Sequence, residues 1–275
     1  MTLLSGIQVL STAINVPGPV AAKTLRDMGA TVVKVEPPAG DPLAIGAPAW
    51  YRELHEGVEV HRVDLKSDDG RLRFHTWLEQ ADVMITATRP ASLHRLGLSW
   101  HTLHARYPRL CHVAVVGYPA PRHDEAGHDL TYQADAGLLA PPSMPRTLIA
   151  DLAGAQLAVS AALAVLLARE RGGASGHQEI ALSDAAALFA MPLRHGLTAH
   201  TGWLGGGTAA YGIYAARDGW IGLAALEPHF RDALAKALNV DITDRRVLER
   251  MFAERNADEW QRWGIEHGVP LSAVR

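Results

Sequence analysis

Cysteine is almost absent: the chain of 275 residues has one thiol, Cys111, set in the apolar run 110–116. No internal disulfide can form, so a reducing cytoplasm is the expected compartment and a buried strand thiol the expected role. Surplus charge is lacking too. Lys+Arg number 26 and Asp+Glu 29, a net charge of −3. No general basic field draws such a chain to nucleic acid or to an anionic membrane, and a polyanionic ligand needs local positive charge. The start, Met-Thr-Leu-Leu-Ser-Gly, lacks the basic, apolar and small-residue succession of a signal peptide. The most apolar uncharged run, 152–168, is shorter than the roughly 20 residues of a membrane span and reads as a buried helix.

Missing motifs narrow the chemistry. The first strand-to-helix turn, Asn15-Val-Pro-Gly-Pro19, has one glycine where a dinucleotide fingerprint has three, and its prolines remove N–H groups that would cradle a pyrophosphate. Glu36 ends the second strand where a ribose-binding acid would sit, but that turn speaks against a nicotinamide cofactor. Neither a Gly-x-Ser-x-Gly elbow nor a P-loop is present, which sets aside their acyl and phosphoryl chemistry. Among fourteen histidines, His101 and His104 have helical ligand spacing without a cysteine or carboxylate cluster, so a solvated helix face is expected and no metal.

What is present alternates. The patterning predicts strands over 6–10 and 31–36 around a helix over 20–28, then a helix over 70–79, a strand over 83–86, a helix over 100–106 and a strand over 110–116. Strand, helix, strand recurs, which is the order of an α/β fold with a Rossmann-like parallel sheet. A helix follows over 129–139, then a proline break at 141–145, and a long Ala/Leu helix from Asp151 to Gly172-Gly173. A strand over 176–182 and a helix over 184–193 complete a large domain, 1–200. Beyond the glycine run, 201–275 form a smaller α/β domain: a hairpin of 211–215 and 220–224 through Arg217-Asp-Gly219, then helices over 230–238 and 245–268.

Two features invite chemistry. Asp151 precedes a long apolar helix, so it reads as an N-cap, and a helix N-terminus also keeps a carboxylate ionised and available as a nucleophile or base. His128, in Gly127-His128-Asp129, opens the preceding helix and could face the same pocket. Gly205, Gly206 and Gly207 read either as an interdomain linker or as a mobile flap whose N–H groups reach an oxyanion.

Taken in order, the segments Gly6-Ile-Gln-Val-Leu10, Pro17-Gly-Pro19, Lys34-Val-Glu-Pro-Pro38, Asp64-Leu-Lys66, Gly70-Arg71, Arg89-Pro90 and Arg95-Leu-Gly-Leu98 resemble those of the family III CoA-transferases. Gly127-His-Asp-Leu130, Ile149-Ala-Asp-Leu152 and Leu226-Glu-Pro-His-Phe230 continue the resemblance over nearly the whole chain. This group includes the α-methylacyl-CoA racemases. The resemblance implies a CoA-binding Rossmann-like domain, a small domain after a glycine flap, and an interlocked homodimer acting on an acyl-CoA and a small carboxylic acid, with CoA as substrate and no permanent cofactor. By position it implies Asp151 as the nucleophile, and Val16, Pro37, Lys66, Arg89, Arg95, Gly127 and His128 as CoA-contacting residues.

Departures accompany it. A family Asn-Lys-Arg is here Gly57-Val58-Glu59, losing two positive charges near the nucleotide phosphates unless His61 or Arg62 replaces them. A glutamine of some transferases is Val16, and a glycine-rich stretch is Tyr118-Pro-Ala-Pro-Arg122. Family members also continue past Arg275 into a segment that returns to the large domain. The expected activity is CoA transfer through an aspartyl intermediate. The alternatives are a racemase in which His128 and Asp151 exchange an α-proton, and an inert CoA-binding paralogue.

Overall fold

The segments Val83–Thr86 and Cys111–Val116 are buried at every position, as parallel strands are when helices cover both faces. In the computed structural model, which describes residues 2–275, both lie inside a six-stranded parallel sheet. Its strands are β1 (Gln8–Ser11), β2 (Thr31–Glu36), β3 (Glu59–Arg62), β4 (Val83–Thr86), β5 (Cys111–Val116) and β6 (His177–Ala181). Their spatial order is β3-β2-β1-β4-β5-β6, every neighbouring pair parallel. The order reverses between β1 and β4, and a crevice opens outside their carboxyl ends. The α/β sheet expected from the alternation is therefore present.

Side chains alternate across the sheet. Val9, Val32, Val83 and Ile85 enter one apolar layer with Leu25 of the helix Pro17–Asp27. Leu10, Val35 and Met84 enter the other with Phe74 and Leu78 of the helix Asp68–Gln80. The helix Ile149–Glu170 is long and apolar enough by length and composition to cross a membrane. Here Ala155, Ala158, Ala162 and Leu166 lay its small-residue face on the sheet, and Arg169 Nη2 anchors its end on Asp82 Oδ1 at 2.8 Å. Cys111 is buried as expected, its Sγ 3.7 Å from the Val165 carbonyl.

One compact unit ends at Ala190 and a second runs from Met191 to Arg275. The break precedes the expected one near residue 200: the short helix Met191–Arg194 and the turns after it group with the second unit, where Leu204 N–H donates to Leu197 O at 2.9 Å. The second unit has an antiparallel sheet of β7 (Tyr211–Ala215), β8 (Trp220–Ala224) and β9 (Leu271–Ala273). Tyr214, Leu223, Phe252 and Trp260 form its core.

The helix expected over 245–268 is two helices, Arg245–Phe252 and Ala257–His267. Asn256 starts the second, its N–H donating to Glu259 Oε2 at 2.8 Å. The helix expected over 129–139 stops at Asp135, because Gly137 turns left-handed at φ 73°. The patterning did not anticipate β3, β9 or the helices Leu43–Gly46, Pro48–Leu54 and Pro90–Arg95.

His112 on β5 and His177 on β6 are register partners with ring centroids 4.9 Å apart, stacked beside Trp100. Burial, then His177, pushes His112 down to about 3 from 6.5. The folded chain thus holds fewer protons here than the unfolded chain between these values, and stability falls as pH drops through that window. Melting temperatures measured from pH 7 to pH 4 should decline less steeply in His112→Leu than in the unsubstituted chain; parallel curves would refute this assignment.

Candidate active site

Loops leaving the carboxyl ends of β1, β4 and β5 meet the starts of the helices Asp129–Asp135 and Ile149–Glu170 around a cavity of about 190 Å³. Asn15, Arg89, Gly127, His128, Tyr132 and Asp151 are among its walls. The sequence expectation that His128 and Asp151 share a pocket holds.

Asp151 is the third residue of its helix, not the cap: Leu148 occupies that position. The capping carboxylate comes from a neighbouring helix instead. Buried Asp129 accepts the Asp151 N–H on Oδ1 at 3.1 Å and Gln133 Nε2 on Oδ2 at 2.5 Å, while Gln133 Nε2 also donates to Thr147 O at 3.1 Å. This arrangement reverses the electrostatic expectation. Burial, then the charge of Asp129, pushes Asp151 up to about 7. A helix N-terminus favours the ionised form, but Asp129 already takes the Asp151 N–H and stands beside it as a like charge. Burial and the neighbouring charge thus favour the protonated form of Asp151.

Gly127 has a steric reason to be glycine: a Cβ there would fall 2.5 Å from Tyr132 Cε1. Burial, then Tyr118 and Asp151, raises the Tyr132 hydroxyl to about 12. Asn15 was missed as a side chain in the sequence. It is exposed on the cavity wall at φ 67°, a left-handed backbone held by its N–H bond to Asp41 Oδ1 at 3.0 Å.

Asp41 belongs to a buried ionic cluster. Lys34, 1% exposed, directs Nζ to Asp41 Oδ2 at 2.6 Å, Glu36 Oε1 at 3.0 Å and His55 Nε2 at 2.7 Å. The Tyr51 hydroxyl donates to Glu36 Oε1 at 2.8 Å and is raised to about 12 by burial and that contact. Glu36, Asp41 and His55 lie close enough together to hold a metal ion, but the Lys34 ammonium supplies the cation there. Glu36 Oε2 is buried without a hydrogen-bond partner among the described residues.

Glu36 also lines a second, larger cavity of about 720 Å³ with Pro37, Lys66, Arg89 and Leu96. Ile14, Ala87 and Arg89 line both cavities, so the two adjoin. Lys66, Arg89 and Pro37 therefore stand together as expected, and Val16 and Arg95 do not. Val16 is buried while its neighbours Asn15 and Pro17 face the cavity. Arg89 precedes the helix Pro90–Arg95 and Arg95 ends it. A helix turns about 100° per residue, which carries Arg95 away from Arg89 and into a third cavity with Arg71 and Arg106. The candidates to replace the lost charges are engaged: His61 Nε2 lies 2.6 Å from Glu59 Oε1, and Arg62 Nε 3.7 Å from Glu36 Oε2.

The glycine run lies in the second unit. Gly205 and Gly207 both donate their N–H to Gly202 O at 2.9 Å, so neither is available to an oxyanion in this conformation. Arg245 Nη2 holds the next turn, donating to Gly206 O at 2.9 Å and Thr208 O at 3.1 Å.

Comparison with known proteins gives a family and a fold. The family described as CoA-transferase family III matches residues 4–275. A Mycobacterium tuberculosis protein named a probable fatty acyl-CoA transferase is 31% identical over 66% of this chain and 51% of its own, so the matched region spans about half of that relative. A Chloroflexus aurantiacus succinyl-CoA–D-citramalate CoA-transferase is 29% identical over 98% of this chain and 78% of its own. A crystal structure of the mycobacterial protein superposes with TM-score 0.86 at 26% identity, covering 100% of this chain and 85% of that one.

The raised Asp151 has a consequence for stability. Between about pH 4 and pH 7 the folded chain keeps a proton that the unfolded chain releases, so ionisation in that range costs folding free energy. Asp151→Asn should raise the melting temperature at pH 8 by at least about 2 °C and leave it nearly unchanged at pH 4. Equal melting temperatures at pH 8 would contradict the assignment.

Proposed function

Because the chain belongs to CoA-transferase family III, we propose that it moves CoA from an acyl thioester to a carboxylic acid through Asp151. One observation carries this reading: a half-buried carboxylate lines a small cavity that shares Arg89 with an adjoining, larger cleft lined by Lys66. The cleft suits the CoA arm and the smaller cavity the acyl group. At about 190 Å³ the smaller one fits a small acid, and the Chloroflexus relative is named for succinyl-CoA and D-citramalate.

An ionised Asp151 oxygen attacks the thioester carbonyl, and the C–S bond breaks to leave a mixed anhydride and CoA thiolate. The thiolate then attacks the Asp151 carbonyl, expelling the donor acid and forming an aspartyl-CoA thioester. An incoming carboxylate attacks that thioester and releases the thiolate, which attacks the acceptor's carbonyl and restores Asp151. A carboxylate with a raised pKa is more nucleophilic once ionised than an ordinary one. Arg89, on the wall of both cavities, supplies a guanidinium where charge passes between carboxylate and thiolate. The reading includes a homodimer, supported by Leu188 and Phe189, exposed by 47% and 55% at the end of the helix Leu182–Phe189.

His128 on the same wall favours a second reading, α-proton exchange by His128 and Asp151. Incubation with a chiral 2-methylacyl-CoA in deuterated water separates the two. CoA exchange that requires an added acid, without deuterium at the α-carbon, is the expected result; acceptor-independent wash-in would establish the racemase instead. Mass spectrometry after acyl-CoA and hydroxylamine should find the adduct on Asp151, and binding without any adduct would mark an inert paralogue. The acid limb of the transfer rate should lie close to pH 7 and move lower in Asp129→Asn, since Asp129 helps to raise Asp151. An unmoved limb would remove Asp129 from that role.

A further inference from the structure

Attack of a carboxylate on a thioester builds negative charge on the carbonyl oxygen, and that oxyanion needs a donor already in place. The glycine run does not offer one in this conformation, since Gly205 and Gly207 both donate to Gly202 O. The wall of the Asp151 cavity carries a different donor.

Tyr132 is the fourth residue of the helix Asp129–Asp135 and is 2% exposed, yet it lines that cavity. Its ring stands edge-on to Tyr118, with centroids 5.1 Å apart. The Tyr118 hydroxyl donates to Asp135 Oδ2 at 2.9 Å, whereas the Tyr132 hydroxyl has no hydrogen-bond partner among the described residues. A buried phenol ordinarily finds one. This oxygen lies against two glycines of the cavity wall: a Cβ on Gly117 would collide with it, and one on Gly127 would fall 2.6 Å from it. Neither residue covers the hydroxyl, which is left open towards the cavity.

The helix also fixes the hydroxyl relative to Asp151. Asp129 begins that helix three residues before Tyr132, and its Oδ1 accepts the Asp151 N–H at 3.1 Å. Residues three apart share a helix face, so the group that holds Asp151 and the phenol are neighbours. Burial first, then the charges of Tyr118 and Asp151, raise the phenol to about 12 against an opposing effect of Arg89. The hydroxyl thus keeps its proton at neutral pH and remains a donor.

We propose that Tyr132 is a catalytic residue whose hydroxyl is the oxyanion donor for attack on the acyl carbonyl. As the Asp151 oxygen bonds to the carbonyl carbon, the C=O π pair moves onto oxygen, which accepts a hydrogen bond from Tyr132 Oη. When that pair returns, the C–S bond breaks and CoA leaves as the thiolate. The phenol proton is not transferred. The same bond serves the last step, attack of the thiolate on the acceptor's carbonyl, and not the two attacks on the carbonyl of Asp151 itself. The proposal rests on the acyl-transfer reading of Asp151.

Tyr132→Phe removes the oxygen and keeps the ring. Steady-state transfer should show kcat lower by about 10²-fold or more, as for loss of one oxyanion donor, with KM for acyl-CoA unchanged. The melting temperature should not move, because no hydrogen bond of the folded chain is lost. Gly117→Ala gives a readout that packing alone does not: its methyl displaces the hydroxyl, so it should cost activity in the chain with Tyr132 and add little to the loss in Tyr132→Phe. Transfer by Tyr132→Phe within about twofold of the unsubstituted rate, or equal losses from Gly117→Ala in both backgrounds, overturns the role of the phenol and leaves the acyl-transfer reading standing. A fall in kcat accompanied by a raised KM and a lower melting temperature assigns Tyr132 to packing and overturns the proposal as well. Absence of transfer by the unsubstituted chain overturns both.

Discussion

The buried ammonium of Lys34 is the constraint on which the cleft depends. Stripped of water, it must be surrounded by acceptors, and it finds them on three segments: Glu36 at the end of β2, Asp41 in the loop beyond, and His55 after the helix Pro48–Leu54. Removing one partner from such a cluster costs about 3–5 kcal/mol because the remaining charges stay buried. The three segments are therefore held as one wall. Asp41 extends the restraint, since its Oδ1 accepts the N–H groups of Leu43 and Asn15. Outside glycine a left-handed backbone is uncommon and asparagine is among the residues that adopt it; here the Asn15 amide is also bonded to a carboxylate that is itself fixed by an ion pair.

A second carboxylate, Asp129, acts with the opposite electrostatic sign. Lys34 attracts what surrounds it; Asp129 repels the group it positions. Its Oδ1 completes the first turn of the helix Ile149–Glu170 through the Asp151 N–H, and the like charge destabilises the Asp151 carboxylate that this turn presents. The apolar layers around β4 and β5 hold the two helices together regardless of that repulsion. The raised pKa of Asp151 is thus a product of packing: the same burial that anchors Ala150 and Ala155 keeps its side chain partly dry.

The parts of this arrangement visible in the sequence are those encoded locally. Strands β2 and β4, the helix Trp100–Arg106 and the hairpin of β7 and β8 coincide with the patterning at both ends, because each is a continuous apolar or alternating run bounded by turn residues. Edge strand β3, Glu-Val-His-Arg, has only one apolar residue and no such signal, and three-residue β9 is shorter than any period. Asp151, His128, Lys66 and Arg89 could be picked out because they sit in ordered motifs. The bond from Asp129 to the Asp151 N–H could not, since it joins residues 22 apart through tertiary packing. Arg95 illustrates the limit of spacing alone. Its sequence neighbour Arg89 lines the cleft, but one short helix between them turns Arg95 towards Arg71 and Arg106.

In the proposed transfer, substrate binding would alter the electrostatic balance at Asp151. An acyl group filling the small cavity removes the remaining water from the carboxylate, which by itself would raise its pKa further and disfavour the nucleophilic form. Binding free energy realised far from the reacting carbon, along the cleft wall of Lys66 and Arg89, can offset that cost without touching the thioester. Arg89 matters most here because it borders both spaces. In the proposed transfer, its positive charge favours the thiolate when the C–S bond breaks. On the proposed mechanism the guanidinium at this junction opposes the cost of the departing thiolate, while burial and the like charge of Asp129 keep Asp151 basic.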